Sequence, residues 1–358
     1  MPSEFFLCRS AGKRIRRAGD RGSVLILVAW ILMLLAVYAV SLGVTARQQL
    51  MLSRRLVRDA VLRRAAEAGL ARARAWLSQP VEEPGGDSGA PAFWMEREDL
   101  FKGVSVGKAL FSLGYAWKDP VCGEEHFFYG LADEEGKINL NTASADVLAR
   151  LFQSVLGVGS TKAQELADAV TDWRDPDSGT QPRGAEDAYY ESLTTPYACK
   201  DASFDAPDEL LLVRGFDATI YKNIKGYVTV MGSGRLNVNT ASAEALQAVG
   251  LDAKLTGKIV RYRQGPDARW GTADDAVFAS VGLIASELEA SGLTEQERGE
   301  LEALVAAGVF TVNSSFFSAT CTATLPGDPA PFSITAVFER SLTEEGYRVQ
   351  PRTWRVSV

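Results

Sequence analysis

Residues 23–46, SVLILVAWILMLLAVYAVSLGVTA, form a run of 24 residues without a single charge. As an α-helix this run is roughly 36 Å long, which is enough to cross a bilayer core of about 30 Å. A cleaved secretory signal usually has an apolar segment of only about 7 to 15 residues. The run therefore predicts a membrane-spanning helix, with cleavage after Val37-Tyr38-Ala39 as the alternative.

A basic segment precedes this run. Residues 1–22 hold six Lys or Arg against two acidic residues, and Gly22 stands directly before Ser23. A basic leader, a glycine and an uninterrupted apolar helix resemble the signal of type IV pilin-like proteins. The resemblance implies cleavage after Gly22 by prepilin peptidase and methylation of the new amine of Ser23. The fifth mature position holds Leu27, where most pilins carry glutamate.

The helical pattern continues beyond the membrane segment, because no proline occurs between Ser23 and Pro80. A continuous helix from about 23 to 78 is predicted, either as a plain anchor with a solvated basic extension or as a stalk that packs against neighbouring helices. Arginines follow the apolar run as closely as they precede it, so the positive-inside rule does not decide the topology. The apolar face comprises Leu52, Leu56, Ala66, Leu70, Ala73 and Leu77.

Strand-like segments rich in Phe, Tyr, Val and Thr follow a turn-rich linker at residues 80–91. They flank a middle region of different character, and the last two read as a hairpin joined through residues 343–346. The segments are 109–117, 126–131, 308–323, 332–340 and 347–358.

The middle region contains an internal repeat. Residues 137–148, KINLNTASADVL, recur 98 positions later as residues 235–246, RLNVNTASAEAL. Each copy predicts an extended segment leading into a helix capped by Thr142 or Ser144, or by Thr240 or Ser242. We expect the asparagines to bond nearby backbone.

Residues 156–163, LGVGSTKA, contain the Gly-x-Gly turn of a helix-hairpin-helix module. Such modules bind the DNA backbone in competence and repair proteins, which makes a membrane-tethered DNA-binding protein the alternative function. The turn has only Lys162 nearby and is followed by five acidic residues. Without its basic leader the chain, with a formal charge of −7, would carry about −11, so phosphate would be repelled and no nucleic acid is expected.

Several motifs in order resemble the minor pseudopilin K family of type II secretion: Asn139-Leu-Asn-Thr-Ala, Asp172-Trp-Arg-Asp-Pro-Asp, Gly184-Ala-Glu-Asp, Asp208-Glu-Leu and Asn237-Val-Asn-Thr-Ala. That family is also similar in lacking the glutamate replaced here by Leu27. The resemblance implies an α+β fold, in which a pilin-like long N-terminal helix and an antiparallel sheet are interrupted by a large helical insertion of helix-hairpin-helix or SAM-like type.

The resemblance also implies an organisation and a cellular setting. We expect a protein of the inner membrane with one span and a periplasmic body, which caps the pseudopilus tip and helps to initiate its assembly. Its partners would be the I and J minor pseudopilins, the inner-membrane secretion platform and prepilin peptidase. The expected segments are a leader (1–22), a membrane and stalk helix (23–79), a first β part (80–138), the helical insertion (139–305) and the remaining strands (306–358).

Residues 172–187, DWRDPDSGTQPRGAED, combine five carboxylates with glycines and prolines. Calcium takes six to eight oxygen ligands from flexible loops, although this spacing is not that of an EF-hand. The resembled family binds calcium through an acidic loop, so a calcium site is predicted at Asp172, Asp175, Asp177, Glu186 and Asp187. A solvated acidic turn is the alternative. Asp267, Asp274 and Asp275 form a weaker second candidate.

The sequence offers little for catalysis. His126 is the only histidine, and we expect it to pack on a strand. Nucleotide-binding, hydrolase and metalloprotease motifs are absent, so no enzyme is predicted, and a periplasmic hydrolase ranks last among the alternatives. The four cysteines show no C-x-x-C spacing; if Cys8 leaves with the leader, one disulfide among Cys122, Cys199 and Cys321 is open, as is burial of all three as thiols.

Overall fold

The computed structural model describes residues 20–80, 96–118, 125–270, 272, 274–344 and 346–357. The chain divides into two units, Met1–Ala60 and Val61–Val358. The leader up to residue 19, most of the linker at 80–91, Cys8 and Cys122 lie outside the described residues.

One long helix, α1, runs from Asp20 to Leu77. It is long and apolar enough to cross a membrane, by length and composition. Leu52 and Leu56, which were predicted to lie on the packing face, are 58 % and 60 % exposed. In the second unit that face begins at Leu62 and continues through Ala66, Leu70, Ala73 and Leu77, all of which are buried.

Within the second unit, the part of α1 from Val61 to Leu77 packs on an antiparallel sheet. Among the described residues the sheet has seven strands, preceded by a short helix, α2 (Glu98–Phe101). The strands are β1 (Val104–Val106), β2 (Ala109–Lys118), β3 (Glu125–Phe128), β4 (Ala132–Asp133), β9 (Phe316–Thr324), β10 (Phe332–Thr343) and β11 (Gly346–Ser357). Their order is β1-β2-β9-β10-β11, with β3 paired to β2 and β4 paired to β9. The predicted hairpin is confirmed, since Thr343 pairs with Gly346.

The helix and the sheet approach closely at Gly69. A Cβ built on Gly69 would lie 2.4 Å from Cys321 Sγ and 2.8 Å from Phe111 Cδ2, so a larger residue would push the layers apart. The last turn of α1 is held by Arg340 of β10, whose Nε donates to Leu77 O at 2.9 Å. Alternate residues of β10 are buried, as expected for a strand with one face on a core.

The helical insertion runs from Ile138 to Thr311 and consists of two similar halves. The first contains β5 (Ile138–Asn139), α3 (Ala145–Leu156), α4 (Ser160–Arg174), α5 (Asp187–Tyr190), a 3₁₀ turn (Pro207–Leu212), α6 (Ala218–Ile224) and β6 (Val228–Thr229). The second contains β7 (Leu236–Asn237), α7 (Ala243–Ala248), α8 (Ala253–Arg263), two 3₁₀ turns (Val281–Leu283, Glu289–Ser291) around α9 (Ile284–Glu287), α10 (Glu295–Ala306) and β8 (Phe310–Thr311). In each half the first strand pairs with the last in parallel.

The insertion leaves and rejoins the sheet at adjacent points. Ala132 of β4 pairs with Ser318 of β9, on either side of the whole insertion. The segment 308–323, predicted as one strand, forms two strands, β8 and β9. Between them the Ser314 hydroxyl donates to Asp133, and the Ser315 N–H donates to Glu135. The prediction of an α+β fold with a long helix, an antiparallel sheet and helical segments is confirmed.

Candidate metal centre in the first half of the insertion

The two halves of the insertion are built on the same asparagine contacts. Asn141 exchanges two hydrogen bonds with the backbone of Phe204, and Asn239 does the same with Phe278. The expected bonds to nearby backbone are made by Asn139 and Asn237, whose Oδ1 atoms accept the N–H of Asn141 and Asn239. In each half the hydrogen bonds to Phe204 or Phe278 join the segment before the first helix to the segment after the second helix. The acidic segments that follow α4 and α8 therefore occupy corresponding places in the two halves.

Asp172 lies buried on the last turn of α4. Its carboxylate accepts hydrogen bonds from the backbone N–H of Gln181 at 3.1 and 3.3 Å, which folds the loop back onto the helix. A Cβ on Gly184 would lie 1.8 Å from Asp172 Oδ2, so only glycine permits this approach. One edge of the centre is thus a carboxylate held by loop backbone.

Three further acidic side chains interact through their charges with Asp172 or with one another: Asp175, Glu186 and Asp201. Each has one buried oxygen that accepts no hydrogen bond from any residue described by the structure. Buried oxygens without donors are costly, and a cation is a natural partner for them. The oxygens are Asp175 Oδ1, Glu186 Oε1 and Asp201 Oδ1.

Mutual repulsion marks these groups as one electrostatic cluster. The pKa of Glu186 is raised to about 7, first by burial and then by the charges of Asp172, Asp201 and Asp175. Burial also raises the pKa of Asp172 and of Asp175, each with help from neighbouring carboxylates. Groups that disfavour each other's ionisation in this way would be relieved by a divalent cation.

The two remaining predicted ligands, Asp177 and Asp187, each accept a backbone N–H through one carboxylate oxygen. Asp177 Oδ1 accepts the backbone N–H of Gly179 at 2.7 Å and so forms a local turn. Asp187 Oδ1 accepts the backbone N–H of Cys199 at 2.7 Å and ties the start of α5 to the segment carrying Asp201. Both carboxylates shape the loop.

Two members of the cluster were missed by the sequence reasoning. Asp201 has a φ of +50°, in the left-handed region that an aspartate adopts more readily than most residues. Cys199 is buried, and one ligand atom from each of Glu186, Cys199 and Asp201 lies within 4.8 Å of the others. Both residues lie outside residues 172–187, so the acidic composition of that segment did not indicate them.

The weaker candidate at Asp267, Asp274 and Asp275 engages groups of its own chain. Asp274 Oδ2 accepts the N–H of Asp267 at 3.1 Å, and Asp274 Oδ1 accepts the Thr272 hydroxyl at 2.7 Å. Asp275 interacts electrostatically with Arg263, whose pKa falls to about 9 through burial while Asp275 opposes that fall. Arg263 lies over the Trp270 ring at 4.8 Å. The guanidinium group of Arg263 therefore provides a positive charge for Asp275 from within the chain.

Two other predicted features lie away from the centre. Lys162, the one cation near the helix-hairpin-helix turn, pairs with Glu165 at 3.3 Å. His126 is on β3 as expected, but it is exposed rather than packed, because β3 lies at the side of the sheet, beyond the main strand order.

The chain shows similarity to type II secretion proteins. A family model described as "Type II secretion system (T2SS), protein K" matches residues 130–233, which cover the first half and its centre. Type II secretion system protein K of Aeromonas hydrophila is 39 % identical over 111 residues, 31 % of this chain and 34 % of that protein. That of Klebsiella pneumoniae is 33 % identical over 139 residues, 38 % and 42 % of the two chains. The matched segments thus span less than half the length of these relatives.

The fold is also similar to a solved structure. One chain of the GspK-GspI-GspJ complex from the enterotoxigenic Escherichia coli type 2 secretion system superposes with a TM-score of 0.57 at 18 % identity, covering 87 % of this chain and 99 % of that one. At this identity the likeness concerns the fold. The sequence matches, which cover part of the chain, are to protein K of type II secretion systems.

Proposed function

We propose that this chain is a non-enzymatic minor pseudopilin of a type II secretion system, with one span in the inner membrane and its body in the periplasm. The observation that carries the proposal is the combination, in one chain, of a protein K domain at residues 130–233 with an uncharged N-terminal helix long enough to cross a membrane. Cleavage of the leader by prepilin peptidase and association with the inner-membrane secretion platform are part of the same proposal.

The surface of α1 supports an assembly role. Its residues from Val24 to Val44 are exposed, and they include Trp30, Ile31 and Leu34. Apolar surface of this extent needs cover from lipid or from other helices. In the solved complex the similar chain is crystallised with GspI and GspJ. We therefore propose the corresponding I and J proteins as partners, and the tip of the pseudopilus as the site of assembly.

Co-purification tests this function. The full-length chain in detergent should retain the I and J pseudopilins of its own system through washing at high salt. The matched control keeps residues 47–358 and replaces residues 23–46 with an unrelated single-span helix. Weaker retention by the control is expected if α1 contributes to the complex. Equal failure of both proteins to retain either partner would contradict the proposal.

We further propose that the centre binds calcium, now through Asp172, Asp175, Glu186 and Asp201. Four clustered carboxylates and the nearby loop carbonyls suit a cation that takes six to eight oxygens, and extracytoplasmic sites need only weak affinity. The unpartnered buried oxygens support it. Calcium that binds only the folded protein should raise the melting temperature.

A pair of matched variants tests the ligand set. Asp175→Asn removes a clustered carboxylate and should abolish the thermal shift with millimolar calcium. Asp177→Asn changes a carboxylate that forms a local turn, and it should leave most of the shift. If wild-type protein shows no shift, the loop binds no calcium; if Asp177→Asn alone abolishes it, the ligand set is the one expected from the sequence.

A further inference from the structure

Cys199 lies inside the candidate metal centre. Ligand atoms of Glu186, Cys199 and Asp201 all lie within 4.8 Å of one another, and among the residues that the structure describes no other group of three such side chains is this compact. Two of the three carry a buried oxygen without a donor among those residues. Glu186 is only 6 % exposed and Cys199 only 7 %.

Calcium takes oxygen ligands, so the sulfur of Cys199 would not be a calcium ligand. Zinc takes four ligands in a tetrahedron and accepts thiolate sulfur at about 2.3 Å and carboxylate oxygen at about 2.0–2.2 Å. Around such an ion neighbouring ligands lie about 3.5 Å apart. The observed group needs only a small contraction to reach that geometry. Asp175, whose buried Oδ1 has no hydrogen-bond donor among the described residues, is the candidate for the fourth ligand.

We propose that Cys199 supplies a sulfur ligand to this centre, so that zinc or a similar thiophilic divalent ion competes with calcium for the same carboxylates. The inference rests on the proposed metal centre. On binding, the S–H bond of Cys199 breaks, a metal–sulfur bond forms, and the proton passes to water. No electrons are transferred.

The chain holds Cys199 in place for this role. Its backbone N–H donates to Asp187 Oδ1 at 2.7 Å, which gives that carboxylate a positioning role. Its Sγ has a long contact of 3.7 Å to Asp172 O, and the thiol also interacts with the carboxylates of Asp201 and Glu186, which would bind the same ion. Cys321 differs: it is also buried but lies in the core between α1 and the sheet, beside Phe111 and Gly69. It therefore provides a matched control.

Cobalt(II) is the probe of choice, because thiolate ligation produces an intense ligand-to-metal charge-transfer band in the near ultraviolet. The full-length protein in detergent should develop this band on addition of Co²⁺, and Zn²⁺ should remove it. Cys199→Ser should lose the band, whereas Cys321→Ser should keep it. Cys199→Ser should also weaken zinc binding by at least about tenfold, while the calcium affinity changes by less than about twofold.

The outcomes separate the two proposals. A calcium-dependent thermal shift in wild-type protein without a charge-transfer band would overturn sulfur ligation and leave the calcium centre standing. A band that survives in Cys199→Ser would place the sulfur elsewhere and would also overturn the inference. Absence of binding by calcium, zinc and cobalt would remove the centre itself. Retention of the I and J partners is measured independently of all three.

Discussion

Gly184 and Asp172 are in such close contact that a single added carbon cannot fit: a Cβ on Gly184 would lie 1.8 Å from Asp172 Oδ2. The loop after α4 is therefore shaped around the Asp172 carboxylate, which also accepts the N–H of Gln181. The geometry of the candidate centre depends on a residue that has no side chain.

Gly184→Ala should consequently disrupt the centre. The methyl group must displace Asp172 or the loop, at a cost of about 1–3 kcal/mol by analogy with overpacked cores. We expect a lower melting temperature and loss of the calcium-induced shift, both read by thermal unfolding with and without calcium. Gly226→Ala is the control, because a Cβ there meets nothing within 4 Å. Unchanged calcium response in Gly184→Ala would mean that Asp172 is dispensable.

The buried acid Glu135 should make the protein less stable as the pH rises. Burial, with the charge of Asp133, raises its pKa to about 7, from an ordinary value of 4.5. The folded state therefore binds this proton more tightly than the unfolded state. The resulting stabilisation is fully present below about pH 4.5 and is lost as the pH rises through 7, with a size of about 3 kcal/mol.

Denaturant unfolding between pH 5 and pH 8 measures this dependence. Glu135→Gln, which cannot ionise, should flatten the fall in the free energy of unfolding across that interval. Glu191→Gln, at an exposed position, should retain the wild-type slope. A Glu135→Gln slope equal to that of wild type would assign the pH dependence to other groups.

Processing should produce a mature chain that begins at Ser23. The basic leader, Gly22 and the uncharged run motivate this expectation. Mass spectrometry of the purified protein should find a methylated N-terminal serine, and replacement of Gly22 by a bulky residue should leave the leader attached. A start at Val40, or an intact Met1, would remove the protein from the pilin-like class.

Leu27→Glu should leave assembly nearly intact. In pilins the glutamate at this position pairs with the amine of an adjacent subunit, and an unpaired carboxylate in lipid-like surroundings costs several kcal/mol. A subunit at the tip has no outer neighbour that requires this pairing. The helical insertion, from Ile138 to Thr311, would also obstruct a subunit stacked above it.

Immunogold labelling locates the subunit. We expect label at one end of each pseudopilus, and overproduction of the chain should yield more or shorter fibres. Label along the whole shaft would be incompatible with a tip position and with the interpretation of Leu27.

The long helix was the most predictable element. A charge-free run without proline requires little tertiary information, and the predicted bounds of 23 and 78 differ from Asp20 and Leu77 by only a few residues. The predicted packing face was partly wrong, because Leu52 and Leu56 have the right helical spacing and yet stay exposed. Periodicity identifies an apolar stripe without revealing which part of it another layer covers.

The candidate centre was less predictable for the same reason. The acidic composition of residues 172–187 pointed to its place, but composition cannot distinguish Asp177, which forms a turn, from Asp175, which has a buried oxygen in the cluster. Asp201 joins through folding of the intervening segment. The partners of Asn141 and Asn239 were likewise hidden, since Phe204 and Phe278 lie 63 and 39 residues further along the chain.

The meeting of the two ends of the insertion has a consequence for the order of folding. Glu134 N donates to Phe316 O at 2.9 Å, so the insertion begins and ends at one point of the sheet. Joining β4 to β9 across an unstructured chain of this length would cost the entropy of closing a very large loop. An insertion that has already folded acts instead as a short, rigid connection. We therefore expect its amide protons to become protected in pulsed hydrogen exchange before those of β9.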